Sequence, residues 1–342
     1  MLEADVEVDA GSRTFASGLL IELIGALGRT REGGLVAITS TDSAVGSELD
    51  AWSRLTGHPV VDVTARDGAT RWVIRRGAAP QDPDARPLGS RLWLYTNFDC
   101  NLRCDYCCVR SSPSAPRREL GLDRVRRIAG EAPPLGVREI FVTGGEPFLL
   151  GDIGAIVTTL AAAAPTTVLT NGMLFTGSRL AAMRSLPRDR VAFQISLDSP
   201  TADLHDVHRG RGAWAKARAG IALAREAGFR VRLAATVSTD QEARAFERLL
   251  DEWQIAPDDR VVRRVARRGF AQDGIALGRS DLMPEITITA DGVYWHPVGA
   301  EDADLLVTTE IFPLASAFDA VKAAFARERA HADRLARVFH CA

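Results

Sequence analysis

Residues 91–108 read RLWLYTNFDCNLRCDYCC, and the reading of the fold turns on this stretch. Its first half, RLWLYTN, is short and rich in aromatic and aliphatic residues, which predicts a strand. Cys100, Cys104 and Cys107 follow on the next loop in C-x3-C-x2-C spacing. Three thiolates on one tight loop can hold three irons of a cubane cluster and leave the fourth open, because soft sulfur ligands suit iron–sulfur clusters or zinc. Zinc is the rival, although a structural zinc site wants four ligands, usually in paired knuckles, and no second knuckle follows. Cys108 is expected to point away from the loop interior as a spectator thiol.

Working outward, strands alternate with amphipathic helices. EIFVTG, TTVLTNG, VAFQISLD, VRLAATV and a sixth strand around 260–265 are separated by helices near 123–131, 153–163, 178–184, 213–227 and 241–253. Repeated β–α units imply parallel strands joined by right-handed crossovers, and six of them predict a partial barrel. Beyond it, the hairpin ITITADGVYWHPV, turning at Asp291-Gly292, and a helix over 314–327 read as an appended cap. Upstream, GAAPQDPDARPLGS concentrates Pro and Gly and reads as a linker. Before it, strand 5–8, helix 19–28, GLVAITS, helix 42–55, PVVDVTA and TRWVIRR form a βαβαββ series, the last two strands joined by the turn Asp67-Gly68. The expected division is 1–76, a linker over 77–90, a partial barrel over 91–275 and a cap over 276–342.

The cysteine segment resembles the signature of radical S-adenosylmethionine (radical SAM) enzymes, and it has company at the ends of the next strands. Gly144-Gly145-Glu146-Pro147 follows the second strand, Thr170-Asn171-Gly172 the third and Ser196-Leu197-Asp198-Ser199 the fourth. The segment HDVHRGRGAWAKARAGIALAREAGFRVRLAATV is similar to the MoaA-like and SPASM-type branches, and the resemblance covers roughly residues 90 to 300. Strand C-terminal ends are where β/α barrels assemble their active sites. The resemblance implies an α/β fold: a partial (β/α)6 barrel with a small C-terminal cap, preceded by a βαβαββ two-layer sandwich. It also implies one 4Fe-4S cluster on Cys100, Cys104 and Cys107, and S-adenosylmethionine as the ligand that is cleaved to a 5′-deoxyadenosyl radical.

Cofactor-binding residues expected on that basis are Tyr106, Gly144, Gly145, Glu146, Pro147, Asn171, Ser196, Asp198 and Arg209. Gly144 and Gly145 lack a Cβ and so let backbone approach a ligand closely. Glu146 would accept from the ligand's amino group, and Ser196 and Arg209 would take its carboxylate, arginine because its planar fork pairs with carboxylates. Tyr106 sits where the family uses a backbone contact to adenine. Read without the resemblance, Arg209 is a solvated loop arginine, Ser196 a strand end and Asn171 an Asx-turn residue.

SPASM-type enzymes carry further cysteines in the C-terminal region, whereas here Trp295 and His296 stand where one is expected and no cysteine occurs between Cys108 and Cys341. A single cluster is therefore expected. His296 is read as a structural histidine or a catalytic group. Cys341, beside His340, is read as part of a tail, a redox or hydrogen-donating thiol reaching the site, or a ligand. The N-terminal segment resembles the sulfur carriers of the TusA/SirA family, in which a cysteine before the first helix carries a persulfide. No cysteine precedes Cys100 here, and Phe15 lies near the corresponding place, so a persulfide relay through this domain is chemically excluded. Docking a substrate or partner, or packing on the barrel, remains. The face Leu20, Leu23, Ile24 and Leu27 of its first helix is expected to be core.

Composition narrows the function classes. The chain has 342 residues, enough for about two domains, with 46% hydrophobic and 25% charged residues, as in ordinary globular proteins. Lys plus Arg number 42 against 44 Asp plus Glu, so no basic excess points to nucleic acid. Only Lys216 and Lys322 are lysines. No signal peptide or long apolar run is evident, so a cytoplasmic protein without membrane contact is expected. Four of five cysteines crowd into residues 100–108, which suggests metal rather than a disulfide framework. Three functional readings follow: a radical enzyme acting on a peptide or protein side chain, one acting on a small molecule in cofactor or sulfur metabolism, and an iron–sulfur redox carrier or sensor. A carrier would normally be ligated by four cysteines. A flavodoxin or ferredoxin would be the electron donor of either enzyme.

Overall fold

The computed structural model describes residues 2–31, 33–56, 58–66, 68–77 and 87–338. It divides into two compact units, Met1–Arg86 and Pro87–Ala342. Asp67 of the first hairpin turn, most of the linker, and the His340-Cys341 pair lie outside the described residues.

The first unit runs β1 (Val6–Gly11), α1 (Leu19–Arg29), β2 (Leu35–Ser40), α2 (Ala44–Thr56), β3 (Val60–Arg66) and β4 (Ala69–Arg75). Its sheet has the order β1-β2-β4-β3. β1 lies parallel to β2, which requires the helical crossover α1, and β4 lies antiparallel to both β2 and β3. Alternate strand residues Val8, Ala10, Val36, Ile38, Trp72 and Ile74 share one cluster with Leu19, Leu23, Ala26 and Leu27 of α1 and Val45 and Leu49 of α2. Both helices therefore cover one face of the sheet.

The buried stripe of α1 differs in phase from the expected one. Leu19, Leu23, Ala26 and Leu27 are buried, whereas Ile24 is 55% and Ile21 75% exposed. Six aliphatic side chains surround this helix, so sequence leaves its orientation ambiguous. Leu19 follows Gly18, the N-cap, at φ 102°, and the buried stripe repeats from Leu19 at helical spacing.

The second unit contains β5 (Arg91–Tyr95), α3 (Leu122–Glu131), β6 (Glu139–Thr143), α4 (Ile153–Ala163), β7 (Thr166–Thr170), α5 (Gly177–Ser185), β8 (Val191–Ser196) and α6 (Ala202–Arg209). It continues with α7 (Ala213–Glu226), β9 (Arg230–Val237), α8 (Asp240–Glu252), β10 (Arg260–Arg264), β11 (Thr287–Thr289), β12 (Gly292–Tyr294), β13 (Leu306–Thr308) and α9 (Leu314–Val338). Strand order is β10-β9-β8-β7-β6-β5-β11-β12-β13. The six strands β5 to β10 are parallel throughout, as the β–α alternation predicts.

Period-two alternation sorts these strands. Leu92, Leu94, Ile140, Val142, Val168, Phe193, Ile195 and Leu233 pack outward with Val125, Ile156, Leu160, Ile221, Phe246 and Leu250 of the helices. Trp93, Tyr95, Phe141, Thr143, Leu169, Gln194, Ser196, Arg232 and Thr236 face inward onto a cavity of about 440 Å³. Polar side chains on the inner layer leave it open where a packed core would close it.

Two elements depart from expectation. The C-terminal hairpin is continuous with the barrel sheet: β11 runs parallel beside β5, pairing Thr287 with Trp93 and Ile288 with Leu94. α6, over a segment for which the sequence pattern predicts no element, is led into by Thr201 in extended conformation and ended by Gly210.

Candidate functional site

The cysteine loop is set by its neighbours' backbone. Asn97 donates through Nδ2 to Asp99 O at 3.0 Å and Glu146 O at 3.1 Å, while Gly145 N donates to Asn97 O and Glu146 N to Asp99 O, both at 3.0 Å. A Cβ on Gly144 would sit 2.3 Å from Asn97 Oδ1, and one on Gly145 2.1 Å from Asp99 O. The two glycines thus clear space for the cysteine loop's own backbone, and both also line the cavity. On the loop's other side Gly269, at φ +64°, would place a Cβ 2.2 Å from Cys107 O, and Phe270 N donates to that same carbonyl at 2.8 Å.

Glu146 is fully buried and does not line the cavity. Its Oε1 accepts from Phe148 N at 3.0 Å and Thr170 Oγ1 at 2.7 Å, and its Oε2 from Asn171 N at 2.8 Å. Burial raises its pKa against the lowering effect of those donors. Both oxygens tie the Gly-Gly-Glu-Pro turn to the Thr-Asn-Gly turn, with Oε2 accepting, among the described residues, only the one bond from Asn171 N. Pro147 is likewise buried behind the wall, opening a short 3-10 turn. Asn171 closes an Asx turn onto Met173 N at 3.0 Å, donates to Asn101 Oδ1 at 2.8 Å and lines the cavity. Behind this turn a Cβ on Gly220 of α7 would lie 2.0 Å from Gly172 O. A glycine inside a helix was the only sequence signal for that approach.

Asp198 anchors the next turn. Arg209 donates to it through Nε and Nη2, Tyr106 through its hydroxyl, and Thr236 N at 3.1 Å. Burial opposes the Asp198 charge, but Arg209, Tyr106 and the Thr236 amide outweigh it and hold the carboxyl below its ordinary value. Arg209 is no solvated loop residue: its side chain is 10% exposed, at the last turn of α6, with its guanidinium 5.5 Å from the Tyr106 ring. Burial works against its charge, and Asp198, Tyr106 and Cys104 raise its pKa nonetheless. With Nε and Nη2 on Asp198, the Nη1 edge is what it has left for a ligand. His205, fully buried, accepts from Asp198 N at 3.1 Å through Nδ1, and burial with the nearby Arg209 charge lowers its pKa to about 4. Tyr106, Thr236 and His205 were invisible as a network because they come from three separate elements.

The cavity gathers Cys100, Cys104 and Cys107 with Tyr106, Gly144, Gly145, Asn171, Ser196 and Arg209. Burial raises the Cys100 thiol pKa strongly and the Cys104 thiol to about 11. Among the described residues no three His, Cys, Asp or Glu side chains converge to hold one metal ion. Three soft thiols around a shared cavity, with Glu146 and Asp198 already engaged, fit a group bound through several irons.

Cys108 also lines this cavity, against expectation; its sulfur accepts from the Gly299 amide, and burial raises its pKa to about 11. The 107–108 backbone passes Gly269 so closely that no Cβ fits there. His296 lines the cavity too, accepts from Val298 N at 3.0 Å, and is lowered to about 4 by burial and by Arg263 and Arg268.

The radical SAM superfamily model matches residues 94–252. An AdoMet-dependent heme synthase of Methanosarcina barkeri is 33% identical over 141 residues, 41% of this chain and 40% of that protein. The antilisterial bacteriocin subtilosin biosynthesis protein AlbA of Bacillus subtilis is 29% identical over 200 residues, covering 56% and 42%, and a probable GTP 3′,8-cyclase of Archaeoglobus fulgidus is 35% identical over 130 residues, covering 38% and 43%. The chain thus spans about two fifths of the curated relatives it matches. Among solved structures, native anSMEcpe with bound AdoMet and Kp18Cys peptide shares the fold at TM-score 0.52 and 13% identity, covering 67% of this chain and 80% of that one. The barrel and its cysteine loop coincide with the segment that matches the radical SAM superfamily model, and the same part of the chain is similar to the heme synthase, bacteriocin biosynthesis protein and GTP cyclase above.

Proposed function

We propose that this protein binds one 4Fe-4S cluster through Cys100, Cys104 and Cys107 and cleaves S-adenosylmethionine reductively, abstracting hydrogen from a peptide or protein side chain. The observation that carries this reading is that three thiols spaced C-x3-C-x2-C enter one cavity together with the turns after β6, β7 and β8. When bound, such a cluster supplies the electron that splits a C–S bond of S-adenosylmethionine and yields the 5′-deoxyadenosyl radical.

The chain's own residues bind, orient and exclude. Ser196 and the Nη1 edge of Arg209 take the ligand's carboxylate, and Asp198 fixes that guanidinium from behind with paired hydrogen bonds. Gly144 and Gly145 present backbone at the wall, and Asn171 braces the cysteine loop through Asn101. Tyr106 offers its backbone to the adenine while its hydroxyl is spent on Asp198. Aromatic and aliphatic walls, Trp93, Tyr95, Phe141 and Leu169, keep water from the reacting atoms.

A peptide substrate is supported by the subtilosin biosynthesis protein among the relatives. A small-molecule substrate is the second reading, favoured by the heme synthase and GTP cyclase relatives. The first unit, a four-stranded mixed sheet under two helices, is assigned a TusA-like docking role without sulfur transfer. A flavodoxin or ferredoxin supplies electrons. No helix among the described residues is long and apolar enough to cross a membrane.

The test is anaerobic reconstitution, with iron counted per chain and 5′-deoxyadenosine measured by mass spectrometry after reduction with S-adenosylmethionine. About four irons, as in a 4Fe-4S cluster, together with nucleoside formation support the reading. Zinc in place of iron, or a cluster whose EPR signal ignores S-adenosylmethionine, would overturn it.

A further inference from the structure

The cavity continues along the strands, away from the thiols, to polar side chains that S-adenosylmethionine cleavage does not use. Gln194 and Arg232 are direct cross-strand partners on β8 and β9, and both line the cavity. At about 3.3 Å per residue, Gln194 lies roughly 7 Å below Ser196 and Arg232 roughly 13 Å below Thr236. Gln194 is only 4% exposed, yet its side-chain amide makes no hydrogen bond with any described residue. Arg232 Nε is buried and has no hydrogen-bond partner, and the guanidinium forms no ion pair among the described residues.

The surrounding charges do not compensate Arg232. Its nearest acidic influences are Asp259 and Glu139. Asp259 is paired with Arg230 at 2.7 Å, and Glu139 with Arg91 at 3.3 Å. The cavity's own carboxylate, Glu285, is engaged by Arg91 and by Trp93 Nε1. Arg263 of β10 lines the same cavity, also without a hydrogen bond or ion pair among the described residues, and its charge is felt by Arg232, Tyr95, Cys108 and His296. The lumen therefore presents the Arg232 guanidinium and an amide with no acceptor among the described residues, and the exposed Arg263 adds a second positive charge at its margin. Burying a cation without a counter-ion is costly, and its retention makes sense when a ligand brings the negative charge.

We propose that Gln194, Arg232 and Arg263 form the subsite for a carboxylate of the substrate. A carboxylate is planar with two acceptor oxygens, which suits a guanidinium fork on one side and an amide N–H on the other. Trp93, Phe141, Leu169 and Val261 line the same cavity and would pack the carbon skeleton that carries it. The assignment rests on the radical SAM reading only in calling the ligand a substrate; anion binding is measurable without the radical reaction.

The experiment is calorimetric titration of the full-length, iron-loaded chain with glutarate, with the peptide acetyl-Ala-Glu-Ala-amide, and with the methyl ester of each. Wild-type protein is expected to bind at least one acid and neither ester. Arg232→Met is expected to weaken acid binding about 10- to 100-fold, as truncating one partner of a desolvated charge pair does, with Arg232→Lys falling between wild type and Arg232→Met, and Arg263→Gln, whose charge is exposed, is expected to weaken it by only about two- to fivefold. Because Arg232 has no hydrogen-bond or ion-pair partner among the described residues, Arg232→Met is expected to melt no lower than wild type. A peptide that outcompetes glutarate identifies a side-chain carboxylate, and the reverse identifies a small organic acid; both support the subsite. Equal affinity in wild type and Arg232→Met, binding of the esters, no heat with either acid, or inorganic phosphate binding as tightly as the acids would each overturn it. So would a large drop in the melting temperature of Arg232→Met, which would make Arg232 structural. Failure of wild type to load iron would sink the radical SAM reading while leaving the anion titration interpretable.

Discussion

Gly145→Ala tests how the cysteine loop is held. An added Cβ would stand 2.1 Å from Asp99 O and 2.7 Å from Phe98 O, where ordinary contacts begin near 3.4 Å. Both obstacles are backbone, so no side chain can swing aside, and the loop carrying Cys100 must retreat by about 1 Å. That retreat disrupts the bonds from Gly145 N to Asn97 O and from Glu146 N to Asp99 O. At about 1 kcal/mol net for each bond and about 1–3 kcal/mol for overpacking, the cost is about 3–5 kcal/mol. For a unit of this size the melting temperature falls on the order of 10 °C. Thiol–metal distances tolerate only about 0.2 Å, so iron per chain falls sharply as well. Gly130→Ala is the internal control: it lies in α3 with nothing within 4 Å of a built Cβ, and should stabilise by about 0.5–1 kcal/mol. Scanning calorimetry and iron analysis of both variants read the result. A Gly145→Ala protein that melts with wild type and carries full iron would show that the glycine clearance does not position the thiols.

Asp198→Asn leaves the Arg209 guanidinium buried opposite a neutral amide, and a loss of about 3–5 kcal/mol is expected in urea denaturation; an unchanged midpoint would remove the pair from the fold's support. Cys104→Ala should abolish the cluster whereas Cys108→Ala should keep iron content near wild type, and the reverse result would overturn the ligand assignment. Stability should also fall in mild acid. His205 titrates near 6.5 in the unfolded chain but at about 4 when folded, so its contribution is complete above pH 6.5 and is lost as pH drops toward 4. Between pH 7 and 5 that amounts to about 1–2 kcal/mol after allowing for solvent screening, and His205→Gln should flatten the slope while leaving the similar share of His296. A His205→Gln protein with the wild-type slope would refute this.

Much of the architecture was readable from local pattern. Six β–α units from RLWLYTN onward prescribe a parallel sheet because each strand is apolar and each intervening helix amphipathic, and those periodicities are properties of neighbouring residues. The thiol spacing and the Gly-Gly-Glu-Pro, Thr-Asn-Gly and Ser-Leu-Asp-Ser turns were legible for the same reason, each lying within a few residues at a strand end. Chemistry that depends on distant partners was not. That Glu146 accepts from donors at 148, 170 and 171 and so joins two turns is set by the tertiary structure. Arg209 was expected at the ligand's carboxylate, but its pairing with Asp198 and its place over Tyr106 come from packing. Cys108 lines the cavity, and the backbone beside it passes close to Gly269, far along the chain. The phase of α1 and the continuation of the barrel sheet into β11 also depended on packing, since several registers bury comparable apolar area and only closure of the core selects one. Likewise, nothing local marks Gln194 and Arg232 as a pair: strand register sets them side by side, and the charges around them are already spoken for by other partners.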